Sequence, residues 1–221
     1  MDILVNEFPE YCERVQNFWF SEPLNVLSNL AFLIGACFLW RFIKRNYLNS
    51  NLGLTLCSLI IILSFGSFAW HASRSELTLW FDTIPIYIFI IYIAFLLIQS
   101  LTRNIKYTSG FVALISLIYF LVFTYIPNIN ILSGLSKYIF AFCVFIIITI
   151  FVSIKYGMKH DFIYPLSIFG LAIVFRGIDL LVCSNFPLGT HFLWHITVAA
   201  AMYSSSLVVL TLNTKVNKLQ A

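Results

Sequence analysis

The sequence predicts an all-α integral membrane protein, a bundle of seven transmembrane helices with the N-terminus outside and the C-terminus cytoplasmic. Composition is the first observation behind this. Of the 221 residues, 61% are hydrophobic and only 10% charged, and the mean hydropathy is +0.93. A soluble domain carries roughly 25% charged residues, so a water-soluble globule is excluded. The second observation is that the chain divides into seven apolar runs, each close to the roughly 20 residues a helix needs to cross the hydrocarbon. The third is charge asymmetry. With alternating crossings, Arg41, Lys44, Arg45, Arg103, Lys106, Lys155, Lys159, Lys215 and Lys218 fall on one side, and Arg14, Arg74, Lys137 and Arg176 on the other. The side richer in Lys and Arg is expected to be cytoplasmic.

The elements follow in order. Residues 1–22 form an outer segment carrying Asp2, Glu7, Glu10 and Glu13. It lacks a basic stretch ahead of an apolar core, so it does not read as a cleavable signal, and the first span is expected to be retained. The spans are expected at 23–42, 52–70, 80–101, 108–125, 135–154, 162–182 and 190–212. The fourth ends in the turn Ile126-Pro127-Asn128. Short connections make sequential helices antiparallel neighbours, and residues 1–221 read as one domain without a linker. The net charge of +4 is no nucleic-acid signal, because the basic residues are scattered through short loops. Five cysteines are too few for a disulfide scaffold; Cys37, Cys57 and Cys143 lie inside apolar runs and are expected as small buried packing residues.

Topology then sorts the polar residues by depth. The second span runs outward and ends in Gly66-Ser67-Phe68-Ala69-Trp70-His71. The third returns from the same side with Asp82 in its first turn, and the seventh starts there with His191 at its mouth and His195 one turn deeper. Three of the four histidines and one carboxylate thus reach one depth from three helices. Ionisable groups within spans are costly and face the bundle interior. His160, between Lys159 and Asp161 at the other end, reads as solvated. Three neutral imidazoles with a fourth position open to water make a catalytic zinc site. Zinc lowers the pKa of its water to about 7. Asp82 can take the proton of that water, and Ser67, one turn below His71, can donate to an oxyanion. The chemistry expected is hydrolysis of an amide or ester at the membrane edge.

These residues carry a family resemblance. The blocks are Glu10-Tyr11-Cys12-Glu13, Glu22-Pro23-Leu24-Asn25 with Ser28-Asn29, Gly66-Ser67 through His71, Asp82 with Ile84-Pro85, then Arg176, Asp179 and Cys183, and last His191 and His195. In this order, on seven spans, the chain resembles the alkaline ceramidases, within a wider group of seven-span hydrolases that includes the adiponectin receptors. The resemblance implies zinc on His71, His191 and His195, assistance by Ser67 and Asp82, and cleavage of a ceramide-like lipid to a fatty acid and a sphingoid base. It also implies calcium on Glu10, Tyr11 (through its carbonyl), Glu13 and Glu22. Here the chain departs from the pattern, with Glu10-Tyr11 in place of Asp-Trp, a shorter stretch from Cys12 to Glu22, and no clear counterpart of an expected Asn among Val15, Gln16 and Asn17.

In the light of that resemblance, Cys12 and Cys183 are expected to form a disulfide on the outer side, where an oxidising compartment permits one. Glu22, Asn25 and Asn29 make a polar stripe that could hold the outer loop, an ion or a neighbouring helix. Arg176 and Asp179, three apart, are expected to pair with each other. The alternative function is a seven-span receptor or sensor with a mainly structural zinc. A transporter fits less well, because the polar residues gather near one face rather than at the midplane. The expected partners are the bilayer and a membrane lipid substrate, and the expected location is a bacterial plasma membrane with the site facing outward.

Overall fold

The computed structural model describes residues 11–14, 20–46, 50–125 and 135–219. These residues are all-helical, with no strand among them: α1 (Pro23–Ser28), α2 (Leu30–Asn46), α3 (Ser50–Ser73), α4 (Glu76–Thr102), α5 (Ile105–Tyr125), α6 (Leu135–Tyr156), α7 (Lys159–Val182) and α8 (His191–Lys218). Helices α1 and α2 together make the first of seven helices long and apolar enough to cross a membrane. The protein is an integral, multi-pass membrane protein.

The seven runs and the seven helices agree, and the differences lie at the ends. α4 starts at Glu76, four residues before the expected 80. A capping box sets that start: the Ser75 Oγ accepts from the Thr78 N–H at 3.2 Å, and the Ser75 N–H donates to the Thr78 Oγ1 at 3.1 Å. These bonds satisfy donors that the first turn otherwise leaves open. Asp82 therefore stands in the second turn of α4, not the first. At the other end of the bundle, Lys155 Nζ donates to the Leu101 carbonyl at 2.7 Å and Tyr156 Oη to the Ser100 carbonyl at 2.5 Å. They serve carbonyls that the last turn of α4 leaves without partners.

The first span breaks at Asn29. Its Nδ2 donates to the Asn25 carbonyl at 2.8 Å, and its own carbonyl accepts from Ser64 Oγ of α3 at 2.8 Å. A short amide competes with the helix for its carbonyls in this way. The polar stripe is fully inside, with Glu22 and Asn25 at 0% and Asn29 at 1% exposure. Asn29 ties helix to helix.

α3 packs against α4, α7 against α8, and α2 lies against both α3 and α8. Leu39, Leu56, Ile60 and Leu63 are completely buried between them. Ile154, Tyr164 and Leu181 point outward with more than 70% exposure, as a lipid-facing surface requires. Cys57 is buried as expected, but Cys37 and Cys143 sit on this outer surface. Periodicity alone did not tell the inner from the outer face of helices that are apolar all round.

One close approach positions the site. Pro85 has no N–H, so the carbonyl of Phe81, four residues earlier, lacks its helical partner. That carbonyl leans on Gly66 of α3. A Cβ at Gly66 would lie 2.0 Å from the Phe81 oxygen and 3.2 Å from the Asp82 nitrogen. Gly66→Ala is therefore expected to force α3 and α4 apart beside Asp82. Overpacking of this kind costs about 1–3 kcal/mol. A thermal melt in detergent measures it; an unchanged melting temperature would show that the helices slide apart freely.

Candidate metal centre

The last helix owes its start to one buried carboxylate. Asp179 of α7 is 0% exposed. Its Oδ1 accepts from the N–H groups of Thr190 at 2.6 Å and His191 at 2.9 Å, and its Oδ2 from the N–H of Cys12 at 3.3 Å. It thereby caps the N-terminus of α8 and holds the outer segment beside it. The Asp179 oxygens go to backbone donors rather than to Arg176, which corrects the expected ion pair. The guanidinium of Arg176 lies over the Tyr11 ring, 5.0 Å from its centroid. Gly189 makes the approach possible: its φ is +64°, and a Cβ there would fall 2.2 Å from Asp179 Oδ1 and 2.6 Å from Cys12 Cβ. A disulfide joins Cys12 to Cys183 across this junction, with Cα atoms 5.1 Å apart.

With α8 fixed, His191 and His195 present their rings from adjacent turns, and His71 meets them from the end of α3. Ring centroids lie 5.1 Å apart for His71 and His191, 4.7 Å for His71 and His195, and 4.6 Å for His191 and His195. All three side chains are buried, and their candidate ligand atoms lie within 4.8 Å of one another. Among the described residues this is the one such cluster of His, Cys, Asp and Glu.

The hydrogen bonds behind the rings test whether a metal fits. His71 Nδ1 bonds to Glu22 Oε2 at 2.5 Å, and His195 Nδ1 to Ser28 Oγ at 2.7 Å. Each of these two rings is thus gripped by Nδ1, which leaves Nε2 as its candidate ligand atom. His71 Nε2 and His191 Nδ1 are buried with no hydrogen-bond partner. Buried polar atoms are nearly always satisfied, and an orphaned imidazole nitrogen among two other imidazoles is suited to a cation. A carboxylate behind a histidine is the usual outer shell of a metal ligand, fixing tautomer and aim. The three histidines fit a metal ion.

Glu22 sits at the centre of that outer shell. Its Oε1 accepts from Arg14 Nη1 at 2.8 Å, with Arg74 Nε at 3.6 Å. Burial alone would raise its carboxyl, but His71, Arg74 and Arg14 bring it below its ordinary value. Tyr11, from the segment ahead of α1, covers the cluster. Its ring stacks on His191 at 4.0 Å and lies 5.1 Å from His71, and Trp70 Nε1 donates to its hydroxyl at 3.4 Å. Arg74 lies 4.3 Å from the Trp70 ring.

Ser67 is buried one turn below His71 on α3, and Asp82 is half-buried on α4, where the two helices meet at Gly66. Asp82 does not join the group of mutually close ligand atoms. His160 is exposed at the start of α7.

The residues implied for calcium are placed differently. Glu13 uses both oxygens on the N–H groups of Leu24 at 2.5 Å and Asn25 at 2.9 Å, which caps α1. The Tyr11 carbonyl accepts from the Arg14 N–H at 3.1 Å. Glu22 serves His71 and two arginines, and Glu10 lies outside the described residues. Glu13 and Glu22 are thus committed to backbone N–H groups, His71 and two guanidiniums, which fits poorly with a calcium ion that takes 6–8 oxygen ligands.

Sequence reasoning alone missed the service that Glu22 and Ser28 give to the histidines. The spacing held a signal, since Glu22, Asn25 and Asn29 share a stripe and Ser28 lies beside it on the same short helix. It missed Tyr11 as a cover and Arg74 as a partner of Glu22, because these contacts cross between segments far apart in the chain, and it missed Arg14, eight positions from Glu22.

Comparison with curated proteins returns no match. The model of the family described as Ceramidase matches residues 9–221, nearly the whole chain and every residue of the histidine cluster. With seven spanning helices and three buried histidines that could hold a metal ion at one end of the bundle, the chain belongs to the ceramidase family.

Proposed function

We propose that the chain is a zinc-dependent hydrolase that cleaves the amide bond of ceramide, or of a similar acylated lipid, to a fatty acid and a free amine. The observation that carries it is the trio His71, His191 and His195, buried and close, with two orphaned nitrogens and the other sides of two rings held by Glu22 and Ser28. A three-histidine site with no fourth protein ligand among the described residues suits a catalytic zinc more than a closed structural one. This favours a hydrolase over a receptor with a structural metal.

When bound, the zinc supplies a Lewis acid and an activated water. Asp82 takes the proton of the attacking water and passes it to the leaving nitrogen, as a general base and then acid. Ser67 donates to the Asp82 carboxylate at rest. Once Asp82 is protonated, the Ser67 hydroxyl can accept from it and turn its own hydrogen to the oxyanion. Glu22 and Ser28 keep His71 and His195 aimed throughout.

The substrate class rests on an apolar cavity deeper in the bundle. Ile86 and Phe89 of α4, Tyr138 of α6, Phe169 of α7, and Trp194 and Val198 of α8 line it. Ile86 stands one turn below Asp82, and Trp194 adjoins His195. An acyl chain in this cavity would bring its amide to the histidine level. The excess of Lys and Arg at the other end supports an outward-facing site, in keeping with a bacterial plasma membrane.

Purified protein in detergent is expected to carry one zinc per chain by elemental analysis and to release fatty acid from a fluorescent ceramide. Removing zinc should abolish release and adding it back restore it. Zinc retained without turnover of any acylated amine lipid would favour the receptor reading.

A further inference from the structure

The outer segment departs from its family pattern where calcium would be held, and the structure shows what stands there instead. Three of the four implied ligands are described, and each has its acceptor oxygens engaged. Glu13 caps α1 through Leu24 and Asn25, and the Tyr11 carbonyl is bonded to Arg14 N. Glu22 divides its oxygens between His71 at 2.5 Å and Arg14 at 2.8 Å, with Arg74 at 3.6 Å. Calcium takes 6–8 oxygen ligands at 2.3–2.6 Å. A dication here would displace those donors and stand against two guanidiniums.

We propose that in this chain Arg14, seconded by Arg74, replaces the calcium ion as the fixed positive charge behind the metal centre. The line of contact is short. Arg14 Nη1 holds Glu22 Oε1, Glu22 Oε2 holds His71 Nδ1, and His71 Nε2 faces the other two histidines. Glu22 is 0% exposed, and charges taken out of water are paired. Held by Arg14 through one oxygen, Glu22 uses the other to fix the tautomer and aim of His71. Arg14 is thus a positioning residue that acts on the metal through Glu22. A guanidinium is always charged and cannot be diluted away, so the centre keeps its outer charge at any calcium concentration. This inference rests on the reading that the histidines hold zinc.

The test uses the full chain in detergent. Equilibrium dialysis with radioactive calcium is expected to show no saturable binding up to about 1 mM, the weak end of protein calcium sites. One calcium per chain below that concentration would overturn the replacement. Zinc affinity, measured by competition with a chromophoric chelator, is expected to fall about 10–100-fold in Arg14→Gln, the usual loss for an outer-shell partner. Arg14→Lys should recover most of it. In a Glu22→Gln background, Arg14→Gln should change zinc affinity no further. If Arg14→Gln lowers the melting temperature but leaves zinc affinity untouched, the residue is merely structural and its role is overturned. Wild-type protein without zinc would sink the parent reading and the role of Arg14 with it, whereas calcium binding would sink the replacement alone.

Discussion

His195→Ala is expected to cost the protein its metal and its turnover together. His195 lies between the other two rings, 4.7 Å from His71 and 4.6 Å from His191, and is 3% exposed. With two imidazoles left, a tetrahedral zinc site loses one of its three protein ligands. Loss of an outer-shell partner alone costs about 10–100-fold in affinity or activity, so loss of a ligand should exceed the upper end of that range. The side-chain hole also leaves Ser28 Oγ without its ring partner. Elemental analysis of the purified variant should find less than one zinc per chain, and fatty acid release should fall by more than about a hundredfold. Full zinc with full activity would remove His195 from the site.

Asp82→Asn separates chemistry from metal holding. The amide keeps the shape of the carboxylate and can still accept from Ser67, but it cannot take a proton. Turnover is expected to fall about 10²–10⁴-fold, the range that general acid–base groups supply. Zinc content should stay at one per chain, because Asp82 does not join the close group of ligand atoms. Zinc loss in this variant would make Asp82 a ligand. Unchanged turnover would place the base elsewhere.

The bundle was legible in the sequence because apolar run length is set by bilayer thickness, a constraint outside the protein. All seven spans emerged that way, and the common depth of His71, Asp82 and His191 followed from counting crossings. Boundaries shifted where a local cap overrode composition, as Ser75 does for α4. Inside and outside faces were harder, since Cys37 and Cys143 sit in runs that are apolar all round. The outer shell of the site was the least legible part. Glu22 meets His71 across 49 positions and Ser28 meets His195 across 167, and no periodicity encodes such meetings. Asp179 shows the same limit. Its spacing suggested Arg176, yet the cap of α8 eleven and twelve residues on claims it.

The order of helices along the chain has a consequence for biosynthesis. His71 leaves the ribosome early, on the second span. His191 and His195 arrive only with the last, and Cys183, bonded to Cys12 across 171 positions, comes just before them. A nascent chain therefore holds one ligand through most of its insertion and cannot retain an ion. A metal ion held by all three histidines could be captured only after the final helix has docked beside the first. A chain stalled before α8 would leave the Ser28 hydroxyl of α1 without its His195 partner.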